Sequence, residues 1–202
     1  MSKSINVKNI RLAECVIKEA ENGERTFEYT DPELVAGAMK IGMVPTPSEG
    51  EMYEDGKLSE RLSRVTGYEL AIDFGRLPKK WQAWLNGLKY EEGVLSDDGP
   101  CSPKPFAIGW EVEYVNNKTV FKEAYWFLSC LAKPIEKTYE EQKKDISIGN
   151  DTINITAFKE AEFDDRAYVN IDTADSTVTT QMYTDFFSQV QKTRTITAKP
   201  TI

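Results

Sequence analysis

Glu111-Val112-Glu113 is the one constellation in this chain whose residue types and spacing could do chemistry. Carboxylates at i and i+2 on a strand share a face, about 6.6 Å apart by strand rise. Retaining glycosidases hold two carboxyl groups about 5–5.5 Å apart and inverting ones about 6.5–9.5 Å, so this pair is compatible with glycoside hydrolysis. Nearby tryptophans would suit a sugar platform. A plainer reading is an acidic sheet face, with Glu111 set opposite Lys122 on a neighbouring strand.

Other chemistry lacks its residues. The chain has no histidine, which removes the commonest general acid–base and the commonest zinc ligand together. No Ser-His-Asp or Cys-His site can be built from this chain alone. Neither GxSxG, GxxxxGK[ST] nor GxGxxG occurs. Glu91, Glu92, Asp97 and Asp98 near Gly93 and Gly99 suggest a cation loop, but the EF-hand order is missing and a solvated acidic loop explains them better. No catalytic, cofactor or metal residues are expected. Trp81 and Trp84 fall at helical spacing with Leu77, Leu85 and Leu88, which reads as a core face before a stacking surface.

The 202 residues suit one domain, or one domain with extended arms, able to bury a core without disulfides. Cys15, Cys101 and Cys130 form no CxxC pair and fit reduced thiols made in a cytoplasm. The start, MSKSINVKNIRLAE, does not read as a secretory signal, and no apolar run is long enough to anchor in a membrane. The triplets at Asn117, Asn150 and Asn154 are therefore not expected to be glycosylated. A net charge of −8 argues against nucleic-acid binding. The last eleven residues, KTRTITAKPTI, carry three positive charges and no acids, which leaves −11 on the rest. Residues 191–202 thus read as a basic tail, either solvated or docked on a neighbouring copy.

The positioning elements follow from period. Tyr68, Leu70, Ile72 and Phe74 alternate with polar or small residues, as in a strand with one buried face. After Gly75 the spacing becomes helical, predicting a short helix over 78–87, with Pro78 in its first turn and Gly87 as its stop. A first strand is expected over 8–18, then a hairpin at Asn22-Gly23 with its return strand over 25–29, a turn at Asp31-Pro32, and a strand over 34–44 broken by Gly37 and Gly42. Residues 45–64 read as a long polar loop. Its apolar Met52, Tyr53, Leu58 and Leu62 favour a partner surface over disorder. A hairpin over 106–132 is expected to turn at Asn116-Asn117, setting Phe106 against Phe127, Ile108 against Tyr125, Val112 against Phe121 and Glu111 against Lys122. In that register Trp110 and Trp126 point to opposite faces. Residues 136–145 read as a charged connection, 146–158 and 163–172 as strands, and Met182, Tyr183, Phe186, Phe187 and Val190 as one face of a second helix.

This layout resembles the major tail proteins, or tail-tube proteins, of long-tailed phages with non-contractile tails that infect Gram-positive bacteria. The resemblance rests on a short N-terminal lead into NVKNIRLAECVI and a bent strand with an acidic loop, LVAGAMKIGMVPTPSEGEMYEDG. It continues with the strand-Leu-Pro-helix unit TGYELAIDFGRLPKKWQAWLNG, the acidic-Gly loop EEGVLSDDG and the aromatic hairpin FAIGWEVEYVNNKTVFKEAYWFLSCLAKP. It ends with ISIGNDTINITAF and the aromatic segment MYTDFFSQV. It spans most of residues 6–190 and is carried by layout, without a catalytic motif.

The resemblance implies a mainly β protein with one or two short helices, a two-sheet β-sandwich or half-barrel flanked by a helix, within a domain over residues 1–190. It implies a non-enzymatic virion subunit, made in the host cytoplasm, whose copies close into a ring, hexameric by analogy, and stack into a tube that conducts DNA without binding it. Partners would be further copies of itself, a tape-measure protein and a tail terminator. The loop would touch a neighbouring subunit through Glu51, Met52, Tyr53, Glu54, Asp55, Leu58 and Leu62. Glu111 and Glu113 would face the lumen. Two other classes stay open: a carbohydrate-binding β-sandwich, which needs exposed aromatics on one face, and a glycosidase using Glu111 and Glu113.

Overall fold

The computed structural model describes residues 3–21, 23–35, 37–54, 57–97, 102–116, 118–135 and 151–199, with backbone alone at 3–5, 51–54 and 57–61. Cys101, Asn117, Asn150 and the predicted connection over 136–145 lie outside these residues, as does 146–149 of the predicted strand. The chain is mainly β, with two helices and a large antiparallel sheet.

Strand β1 (Lys3–Glu19) turns through Gly23, at φ 79°, into β2 (Arg25–Tyr29), with Glu19 opposite Arg25 and Cys15 opposite Tyr29. The expected hairpin forms there. The bent second strand divides into β3 (Glu33–Leu34) and β4 (Ala38–Glu54), because Gly37 takes φ 95° between them. Strand β5 (Lys57–Phe74) returns along β4 and leads into helix α1 (Lys79–Asn86). Pro78 sits one residue before that helix as its N-cap, not inside the first turn, and its carbonyl accepts from the Trp81 and Gln82 N–H groups. Gly87 ends α1 in the left-handed region at φ 67°, where a Cβ would lie 2.4 Å from the Ser102 carbonyl oxygen.

The acidic stretch after α1 is a small hairpin, β6 (Lys89–Glu91) with β7 (Val94–Ser96), turned on Glu92-Gly93 with both φ values positive. Then come β8 (Phe106–Asn116), β9 (Thr119–Ala132), β10 (Asp151–Phe158), β11 (Tyr168–Asp172) and α2 (Thr180–Phe186). Thr179 caps α2 by accepting from the Met182 N–H.

The principal sheet has nine strands in the order β2-β1-β8-β9-β10-β5-β4, with β3 beside β1 and β11 beside β9. It is curled, since β1 (Ile10, Leu12) and the adjacent β8 (Ile108, Trp110) meet β5 (Leu70, Ile72) in one core although β9 and β10 lie between β8 and β5. Leu77, Trp81 and Leu85 from α1 close that core, and Trp84 meets the Phe106 ring at 5.7 Å. A second core lies on the other face of β1, β8, β9 and β11, where α2 and the residues after it cover Ala107, Trp126, Leu128, Val169 and Ile171. Gly109 stands opposite Trp126, and a Cβ there would meet the indole at 2.8 Å, so only glycine leaves room for that ring. This second layer gives the β8–β9 hairpin two apolar faces: Trp110 of β8 enters the first core and Trp126 of β9 the second, on opposite faces as expected.

Candidate assembly surface

The β8–β9 register differs from the expected one. Its last pair is Asn116 with Thr119, with Lys118 at φ 69° before it, so Ile108 pairs Phe127, Trp110 pairs Tyr125 and Val112 pairs Glu123. A bulge near Phe106 then sets that residue against Cys130. The slip is one residue on each strand, so every side chain keeps its face while its partner changes. Glu111 now stands opposite Ala124, and Glu113 opposite Lys122.

Glu111 is only 2% exposed, so it cannot line a lumen or meet a polysaccharide. Its carboxylate accepts from the Tyr183 hydroxyl on α2 (2.6 Å), Lys122 Nζ (3.2 Å) and Asn9 Nδ2 (3.3 Å). Asn9 reaches it from an irregularity in β1, where its φ is 53°. Burial and the bond to Glu111 push the Tyr183 hydroxyl well above its ordinary pKa. Glu113 is half-buried and pairs with Lys8 at 2.9 Å across β1 and β8. The hydrogen bond from Lys8 holds Glu113 below the usual carboxylate value, and the same bond raises Lys8. Two carboxylates each matched to a lysine, one of them covered by a helix, form a fastening between α2 and the sheet. Asn9 and Tyr183 escaped the sequence reading because their partner is brought by tertiary packing alone.

The predicted loop over 45–64 is a hairpin. Strands β4 and β5 stay paired from Ala38↔Phe74 to Glu54↔Lys57, while β10 pairs β5 only from Gly67 to Phe74. Beyond Gly67 the two strands therefore leave the sheet as an arm of about 25 Å at ordinary strand rise. Among the described side chains of the arm, 47–50 and 62–66, none joins a core and most are polar, which erased the alternation that marks a strand. Of the expected contact residues, Leu62 is 61% exposed. Glu51, Met52, Tyr53, Glu54 and Leu58 lie where backbone alone is described, and Asp55 lies outside the described residues. At its base the arm is tied to the body by Arg64 and Asp165 at 2.8 Å.

Among the described residues the main path of the sheet ends in two strands open on one side, β4 and β2, while β3 and β11 lie off that path. In an antiparallel ladder, alternate residues turn both backbone groups toward one neighbour. Lys133 N–H donates to the Asn154 carbonyl, so Asn154 faces β9 and Ala71, opposite it, faces β4. Gly42 then faces Ala71, and Ile41, Met43 and Pro45 direct their backbone groups outward. Pro45 loses no ladder bond in that position. Around this edge Met39, Met43 and Val44 are 58%, 40% and 61% exposed. The segment Ala38–Val44, AMKIGMV, carries one charge. At the other end Thr30 N–H donates to the Glu14 carbonyl, so Arg25, Phe27 and Tyr29 of β2 turn their backbone groups outward.

Features that would support the other classes are weaker. Trp81, Trp110 and Trp126 are buried and Trp84 is half-buried, while the exposed aromatics among the described residues, Tyr90 and Phe158, lie on separate elements. Among the described residues no group of three or more Asp, Glu or Cys could hold a metal ion. No described helix is long and apolar enough to cross a membrane. The basic C-terminal segment, as far as Lys199, is bonded to its own chain while most of its side chains stay exposed. Comparison with protein-family models and with curated proteins returns no match.

Proposed function

We propose that this chain is a structural subunit of a phage tail tube, assembling into rings that stack around a conduit for DNA. The observation that carries the reading is the unpaired β4 edge, with outward backbone groups at Ile41 and Met43 amid exposed Met39, Met43 and Val44. An apolar open edge is a pairing template that soluble monomers normally blunt. A head-to-tail contact between β4 of one copy and β2 of the next continues the sheet and closes as a ring if the rotation permits. The projecting β4–β5 arm supports the same reading, because it reaches past the body toward a neighbouring subunit or ring. A chain net charge of −8 repels DNA phosphate and lets a genome slide. Tape-measure and terminator proteins are the further partners, and the virion is the place of action.

The test is negative-stain electron microscopy of the purified protein at rising concentration. Rings or hollow tubes are expected. A strict monomer that binds glycan in fluorescence-quenching assays would replace this reading with the carbohydrate-binding one.

A further inference from the structure

The residues after α2 run back over the body as a strap, and their basic side chains reach the β2 end of the sheet. Gln191, 2% exposed, bonds the Thr197 N–H and carbonyl, and Ile196 packs on the second core. Arg166 donates to the Lys192 carbonyl at 2.9 Å, which fixes that residue from below. Lys192 in turn donates through Nζ to the Phe27 carbonyl and lies 5.2 Å from the Tyr29 ring centroid. Phe27 is the middle residue of β2 that turns its backbone groups to the open edge. Beyond it, Lys199 holds both carboxylate oxygens of Asp31 at 2.7 Å, where the chain leaves β2 for β3.

We propose that this strap is a releasable guard on the β2 edge, which holds the subunit monomeric until a second copy's β4 displaces it. The inference rests on the edge-pairing reading above and names its regulation. A strand adding to β2 needs the Phe27 carbonyl as an acceptor, and the Lys192 ammonium already occupies it. A charged lysine over an edge carbonyl is also among the devices that discourage edge-to-edge pairing. The grip is reversible because Lys192 and Lys199 are exposed, so water can replace their bonds without opening a core. At the opposite end Pro45 and the exposed Lys40 blunt the edge, but among the described residues no ammonium group bonds a β4 carbonyl. Leu34, Met39, Met43 and Val44 stay exposed along or beside β4. One edge with an occupied carbonyl and one with its carbonyls open favour growth that waits for a nucleus over indiscriminate pairing.

The experiment measures the threshold concentration for assembly by light scattering, for the full chain and for Lys192→Ala, Lys192→Arg and Lys199→Ala. Thermal unfolding of each variant checks that the monomer stays folded. Removal of a charge-assisted bond corresponds to about a tenfold change in an equilibrium. Lys192→Ala is therefore expected to lower the threshold about tenfold, Lys199→Ala less, and Lys192→Arg, which still donates, to match the parent. Equal thresholds for parent and Lys192→Ala would overturn the guard while leaving the tube reading intact. Failure of every protein to assemble at any concentration, with unfolding temperatures unchanged, would overturn both.

Discussion

Glu111 and Glu113 differ by two positions yet answer to different surroundings. Glu111 is enclosed by Tyr183, Lys122 and Asn9, whereas Glu113 meets Lys8 near the sheet surface. The Glu113–Lys8 pair makes stability depend on pH at both ends. Glu113 has its pKa lowered on folding, so its contribution is present above the usual value of 4.5 and is lost as pH falls through the lowered one. Lys8 has its pKa raised, so its contribution is complete below 10.5 and is lost as pH rises through the higher value. Melting temperature followed from pH 7 downward should therefore fall less steeply for Glu113→Gln than for the parent. Parallel acid curves for the two proteins would mean that the pair contributes nothing in solution.

At the scale of elements, the β4–β5 arm and the β4 edge make separable contributions. The arm leaves the sheet beyond Gly67, and among its described side chains, 45–50 and 62–64, none belongs to either core. Deleting Gly50 to Leu62 should leave a folded monomer that does not polymerise, and normal tubes from that deletion would remove the role given to the arm. Met43→Pro probes the edge. The outward-turned Met43 loses its N–H without breaking the ladder to β5, so monomer stability should change by less than about 1 kcal/mol while assembly is lost. Circular dichroism and electron microscopy on the same sample separate the two effects. The arm was hidden in the sequence for a physical reason. Alternation records a buried face, and a two-stranded arm outside the core has none. The helix over 79–86 was legible because Leu77, Trp81 and Leu85 had to reach one core.

For the whole molecule, charge opposes the association that the edges favour. Copies carrying −8 each repel at ring spacing, and salt screens that repulsion over a Debye length of about 10 Å at 0.1 M. The threshold concentration for tubes should fall as salt is raised from low to moderate strength. A threshold that rises with salt would instead indicate contacts dominated by ion pairs between subunits.

Composition and period alone determined that this is a mainly β, acidic chain without histidine, and they located the β1–β2 hairpin, the strand-to-helix step at Phe74–Lys79 and the amphipathic α2. These are local matters, set by turn residues and by which face each segment must bury. Tertiary structure decided the rest. The slip of β8 against β9 depends on a turn residue taking φ 69° at Lys118, and it moved Glu111 from opposite Lys122 to opposite Ala124. The burial of Glu111 depends on α2 crossing a sheet face 72 residues away in sequence. The docking of the basic tail depends on a carbonyl of β2 that becomes an open-edge acceptor only once β1 has paired with the strand's other side. Long-range pairing assigns partners that no local pattern encodes, because the hydrophobic effect specifies which face is buried but not which neighbour buries it.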